Sequence, residues 1–190
     1  MSSDAEWMAR WRNGDEVAQE RLLREYESAL FSYLARMLGS VHDAEDVAQE
    51  TMVQVVRKLP GYREEGKFKG WLFRIAHRKA LRVIRRRRIK PTESLDDPSR
   101  PVAVPADDSS GNPRVNAHGS ERRQRLYAAM ETLPQHEKEV VLLRIHGELS
   151  FEEIARVTGC PLNTALGRMH NATRRLRRLL AANGDEGTPP

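Results

Sequence analysis

Apolar residues recur along this chain at intervals of three and four, and no stretch alternates as a strand would. Asp4 can cap a first short helix over residues 4–12, which Asn13-Gly14 closes. Asp15 opens a long one over residues 15–38, with Leu22, Leu23, Tyr26, Leu30, Phe31, Leu34 and Leu38 on its apolar stripe. Gly39-Ser40 breaks that helix, and the acidic turn Asp43–Asp46 starts another over residues 43–59, ended by Pro60-Gly61. After a polar loop, residues 68–88 place Phe68, Trp71, Leu72, Ile75, Ala76, Ala80, Val83 and Ile84 on one side and end in Arg85-Arg86-Arg87-Arg88. The pattern stops between residues 91 and 118. It resumes with helices over residues 121–133 and from Pro134 to about 145, closed by Gly147.

Residues 149–180 carry the most specific local pattern. Ser150 and Glu153 have the spacing of a capping box, Phe151, Ile154 and Ala155 give one apolar side, and Gly159 sits where a helix turns left-handed to end. Pro161 cannot continue that helix but can open the next, which sets Leu162, Ala165, Leu166, Met169, Leu176, Leu179 and Leu180 beside Arg168, Arg174, Arg175, Arg177 and Arg178. Two helices about a tight glycine turn, the second strongly basic, read as a helix-turn-helix. An αα-hairpin with a solvated arginine face satisfies the same spacing.

Composition narrows the class. The chain has 190 residues, 39% hydrophobic and 31% charged, which suits small helical domains with large surfaces. A net charge of +5 favours a polyanionic partner. Residues 91–118 are rich in Pro, Asp, Ser and Gly, hold five acids against two arginines, and are expected to be a disordered acidic linker. The expected fold is therefore all-α: two small helical domains on a flexible acidic tether, residues 1–90 and 119–183, the second containing the helix-turn-helix, with a disordered tail at 184–190. The lone Cys160 excludes an internal disulfide framework and fits a reducing cytoplasm. No apolar run reaches membrane-spanning length and the N-terminus lacks a signal-peptide layout, so neither membrane insertion nor secretion is expected.

Four motifs in order are similar to signatures of the extracytoplasmic-function (ECF) group of bacterial RNA polymerase sigma factors. Asp43-Ala44-Glu45-Asp46-Val47-Ala48-Gln49-Glu50-Thr51 resembles its D-A-E-D-x-x-Q-E-x element, and Phe68-Lys69-Gly70-Trp71-Leu72-Phe73-Arg74-Ile75-Ala76 its F-x-x-W-L-x-R-I-A element. Residues 133–144 and 147–155 resemble its L-P-x-x-x-x-x-V-x-x-L-R and G-x-L-S-x-x-E-I-A elements. The resemblance implies a first domain that docks on the polymerase clamp and opens the downstream promoter element. It implies a second that binds the upstream element and the polymerase flap, and a linker that threads through the enzyme. Core polymerase and promoter DNA are the partners so implied, with an anti-sigma factor as a further one.

The residues fit these roles. Asp43, Asp46, Gln49, Glu50 and Gln54 recur at helical spacing on one polar face, suited to basic groups on polymerase or else simply solvated. Arg74, Arg78, Arg82 and Arg85 make a ridge suited to a DNA strand, with Tyr62 as a stacking surface and Trp71 as a core anchor. On the second helix of the helix-turn-helix, Asn163, Thr164 and Asn171 are candidates for base edges and Arg168, Arg174 and Arg175 for phosphates. Four positions depart from the family pattern: Arg78 stands for its Asn, Leu166 and Gly167 for polar readers, and Asn171 for a basic residue. Such a helix would read its site partly through thymine methyls or DNA shape.

Two other classes compete. A repressor or activator acting without polymerase accounts for the helix-turn-helix but leaves both first-domain motifs without a purpose. An enzyme on nucleic acid is not expected: none of the six histidines pairs with another His or Cys at ligand spacing. Asp46 and Glu50, which could in principle bind a metal at i, i+4, sit on an exposed helix with no Gly-rich phosphate loop or convergent polar pocket. No catalytic residue, metal or cofactor is expected.

Overall fold

A computed structural model describes residues 4–62, 67–89 and 113–182, with no side-chain description at 113–121 and 182. The linker and tail expectations fall mostly or wholly outside these residues. Within them the chain is helical throughout: α1 (Asp4–Arg12), α2 (Glu16–Leu38), α3 (Val41–Lys58), a 3-10 turn (Leu59–Gly61), α4 (Phe68–Ile89), α5 (Pro113–Glu131), α6 (Gln135–Ile145), α7 (Phe151–Thr158) and α8 (Leu162–Ala182).

The caps follow local chemistry. Asp15 accepts from the Ala18 amide at 3.0 Å, and this bond, with the Arg10 guanidinium, holds its carboxyl below the usual range. Gly39, at φ 66°, closes α2 in the left-handed conformation. α3 starts at Val41 rather than Asp43, because the Ser40 hydroxyl accepts from the Asp43 amide and acts as N-cap. α5 starts at Pro113, eight residues before the expected Glu121; proline is well suited to a first helical turn. At α7 both halves of the capping box form, Glu153 N to Ser150 Oγ at 3.2 Å and Ser150 N to Glu153 Oε2 at 2.8 Å. Gly159, at φ 69°, ends it.

α2 is the axis of the first unit. It packs on α1, α3 and α4, and Leu22, Leu30, Tyr33, Leu34, Leu59, Phe68 and Leu72 are all but sealed from solvent. In the second unit α8 lies across α5, α6 and α7 around Met130, Leu142, Leu143, Leu149, Ile154, Ala165 and Ala172.

The two units do not hang apart on a tether. α4 packs on α7 and α2 on α6, so the buried apolar residues form one continuous cluster. The sequence did not suggest this, because the residues that join the units belong to stripes that each unit could bury alone.

Ser150→Ala removes one half of the α7 capping box and should cost about 1 kcal/mol of stability. A urea melt should read it as a lower midpoint at unchanged slope; an unmoved midpoint would mean the box contributes nothing.

Candidate nucleic-acid interface

The arginine ridge forms as its spacing requires. Arg74, Arg78, Arg82 and Arg85 all stand exposed along one side of α4, while Leu72, Phe73, Ile75, Ala76 and Ala80 are buried on the other. At its N-terminal end lies an aromatic group. The Tyr62 and Trp71 rings are 4.5 Å apart at 30°, and each also packs on Phe68, which in turn meets Tyr26. Phe68 is buried and Trp71 only half-buried, so Trp71 is both packed and available at the rim. Tyr62 is half-buried in this stack rather than standing free.

The second unit covers that end of the ridge. Tyr62, Lys67, Gly70, Trp71 and Arg74 line one wall of a cleft of about 230 Å³, and Glu153, Arg156 and Val157 of α7 line the other. Gly70 makes this approach possible: a β-carbon there would lie 3.2 Å from Glu153 Oε1. Lys69 and Glu148 close the rim with a 2.8 Å ion pair, which holds the Glu148 carboxyl below its usual range.

Deeper between the units sits a polar chain. Tyr33 Oη and His77 Nδ1 are 2.8 Å apart, and His77 Nε2 faces Glu139 Oε2 of α6 at 3.9 Å, beyond hydrogen-bond reach. Burial, with Arg78 adding to it, lowers the His77 pKa to about 4. Burial likewise raises the Glu139 carboxyl and, joined by the Glu139 charge, lifts Tyr33 well above the usual phenol. A neutral His77 accepting from Tyr33 at Nδ1 carries its proton on Nε2, toward Glu139.

The acidic face of α3 is less open than its spacing suggests. Asp46, Gln49 and Glu50 are exposed and Gln54 is half-buried. Glu50 holds Lys79 at 2.7 Å, and Asp43 is bonded to Arg87 of α4. Asp46, whose Oδ2 lies 3.8 Å from His42 Nε2, and Gln49 are exposed, while α4 turns part of its own basic side toward the same edge.

On α8 the burial of Ala165, Ala172 and Leu176 fixes which side is inward. At 100° per residue, Thr164, Arg168, Asn171 and Arg175 then form a flank, not the outermost line. Arg175 Nε lies 3.1 Å from the buried Glu137 carboxylate, and Arg168 is half-buried and close enough to Glu139 to help hold its charge. The outermost line is Asn163, Gly167, His170 and Arg174, all exposed. His170 was not among the expected readers, though the position of Ala165 and Ala172 in the sequence could have pointed to it. Among the described residues no group of His, Cys, Asp and Glu could hold a metal, and no helix is long and apolar enough to cross a membrane.

A basic helix-turn-helix on a second helical unit stands beside an arginine ridge and an aromatic cluster on the first, two surfaces whose charge suits a polyanion. Residues 22–89 match the family Sigma-70 region 2, and residues 123–176 match Sigma-70, region 4. The chain is 37% identical over 178 residues to the ECF RNA polymerase sigma factor SigE of Mycolicibacterium smegmatis, across 91% of this chain and 66% of that one. It is 32% identical over 174 residues to the RNA polymerase sigma factor CarQ of Myxococcus xanthus, across 91% and 95%. To the ECF RNA polymerase sigma-E factor of Escherichia coli K12 it is 30% identical over 179 residues, across 90% of each. Among solved structures, CnrH in complex with the cytosolic domain of CnrY superposes with a TM-score of 0.69 at 23% identity, over 96% of this chain and 100% of that one. The sigma factor RpoE in complex with the anti-sigma factor NepR from Bartonella quintana gives 0.68 at 22%, over 87% and 98%. At that identity the likeness is one of fold. The chain belongs to the ECF RNA polymerase sigma factors, proteins that direct promoter recognition, and a repressor acting without polymerase is not favoured.

His77 gives the joined units a signature in pH. Its pKa in the folded chain lies below the ordinary 6.5, so the unfolded chain binds the extra proton between pH 6.5 and 4 and stability falls on acidification through that window. Glu139, with its carboxyl raised, acts in the opposite sense. The comparison of wild type with His77→Gln isolates the first effect. The wild type's stability relative to the variant should shrink by on the order of 2 kcal/mol from pH 7 to pH 5, read from urea melts. A difference that does not change with pH would place His77 in water.

Proposed function

We propose that the first unit joins core polymerase through the exposed part of the α3 face, centred on Asp46, Gln49 and Glu50, and holds the opened downstream element along Arg74, Arg78, Arg82 and Arg85. The second unit binds the upstream element through α8. The chain supplies recognition and strand capture, the polymerase supplies the chemistry, and no cofactor enters. The protein acts in the cytoplasm, where polymerase and promoter are.

The observation that carries this reading is the α4 ridge, four exposed arginines in line with a half-buried Tyr62–Trp71 stack at one end. Cations in line suit the sugar-phosphate track, and aromatic rings at its end suit unstacked bases, each stack worth about 1–3 kcal/mol. In the joined arrangement α7 stands across the cleft from Tyr62, Trp71 and Arg74 and narrows the approach to them, so parting of the units would open the full ridge to a single strand. Polymerase, by binding the units at separate places, would hold them apart. A partner that clamps them together would keep the chain silent, and for that reason an anti-sigma factor is part of the proposal.

The test is run-off transcription with core polymerase and a library of promoter fragments. Added wild-type protein should yield discrete promoter-dependent transcripts. Asp46→Lys with Glu50→Lys should lose co-purification with core and those transcripts while keeping helicity, because exposed charges contribute little to stability. Folded protein that yields no transcript with active core would contradict the reading, and a gel shift of duplex DNA by the protein alone would favour a repressor.

A further inference from the structure

α8 has a glycine in its interior, Gly167, and nothing within the described chain accounts for it. A β-carbon built there meets no other atom within 4 Å. Gly70 and Gly147 show what a packing glycine looks like in this protein: one faces Glu153 Oε1 at 3.2 Å, the other the Leu143 carbonyl oxygen at 2.6 Å. Gly167 also lacks the left-handed backbone that accounts for Gly39 and Gly159. A glycine inside a helix weakens it relative to alanine and leaves the backbone bare.

Its position gives the bare backbone a meaning. Gly167 lies at the middle of the outermost line of α8, one turn from Asn163 and one from His170, and opposite the buried Ala165 and Ala172. Leu166, 41% exposed, stands beside it. The helix holds five arginines and no acid, so the occupant this face complements is a polyanion. Removing a side chain from the centre of such a face lets the helix settle closer to the floor of a groove. Residues one turn away then reach base edges that they would otherwise miss.

We infer that Gly167 is the seating point of α8 in the major groove of the upstream duplex, and that Asn163 and His170 read the bases on either side of it. Asparagine pairs with both major-groove edges of adenine, a neutral imidazole offers one donor and one acceptor, and Leu166 suits a thymine methyl. Arg174, next along the same line, takes phosphate. The inference rests on the reading that α8 binds upstream promoter DNA.

The experiment uses the full chain with core polymerase. Wild-type holoenzyme selects duplexes from a pool randomised upstream of the start site, and the best recovered duplex becomes the probe. Gly167→Ala should raise the melting temperature of the free protein by about 2–4 °C, since the new methyl group meets open space and the helix gains. The same variant should bind the probe about tenfold more weakly. His170→Ala should lose preference at one or two base pairs and leave the salt dependence of binding unchanged. A Gly167→Ala protein that binds as tightly as wild type, or a His170→Ala protein with unaltered preference everywhere, overturns the inference while the promoter reading stands. If wild-type holoenzyme enriches no upstream sequence at all, both fall.

Discussion

Glu153 and Gly70 meet where the two units of this protein join, and most of what the molecule can do depends on that contact. One carboxylate oxygen of Glu153 accepts from the Ser150 amide and completes the cap of α7; the other lies 3.2 Å from where a β-carbon on Gly70 would stand. The entry to the helix-turn-helix is therefore set against the first turn of α4. Around this point Gly147 leaves room for Phe73, Lys69 reaches Glu148, and Tyr33, His77 and Glu139 run through the middle. The interface mixes a dry patch with polar groups whose ionisation burial shifts. Such groups regain solvation when the units part, and contacts between units of one chain commonly have this reversible character.

The α4 ridge and the α8 face consequently belong to units joined by one interface. With α7 against α4, the aromatic end of the ridge faces α7 across a cleft, while Arg74, Arg78, Arg82 and Arg85 stay exposed. Any ligand that prefers the parted arrangement shifts the population by its difference in affinity for the two, and by no more. On the proposed reading polymerase, docking each unit separately, would have such a difference, and short duplex DNA on α8 alone a smaller one. The exposed line Asn163–Gly167–His170–Arg174 faces away from the core of its own unit, and its seating can differ without altering the ridge.

Much of this was legible in the order of residues. The apolar stripes of α2 and α4, the capping box at Ser150 and Glu153, and the left-handed glycines at 39 and 159 each have a local physical cause, and local causes can be read along a chain. What lay beyond reach depended on contacts distant in sequence. Asp43 looked like part of an open acidic face until Arg87, 44 residues on, was found bonded to it. Arg175 looked like a free phosphate contact, yet it holds Glu137. Gly39-Ser40 reads as a break, yet Ser40 caps the start of the next helix, because a break and an N-cap use the same residue types. Glu139 and His77 carry no pattern of their own. Each is an ordinary residue in its helix and gains its part only when the units meet.

The most direct test is the distance between the units. With Cys160→Ser as background, spin labels at Ser28→Cys on α2 and Arg177→Cys on α8, both exposed, report on their separation without touching the interface between the units or the proposed polymerase-docking face. The account requires one narrow distance distribution in the free chain, broadened or moved outward by Gly70→Leu, and a longer single distance when core polymerase is bound. A broad distribution in the free wild type, unchanged by Gly70→Leu, would contradict it.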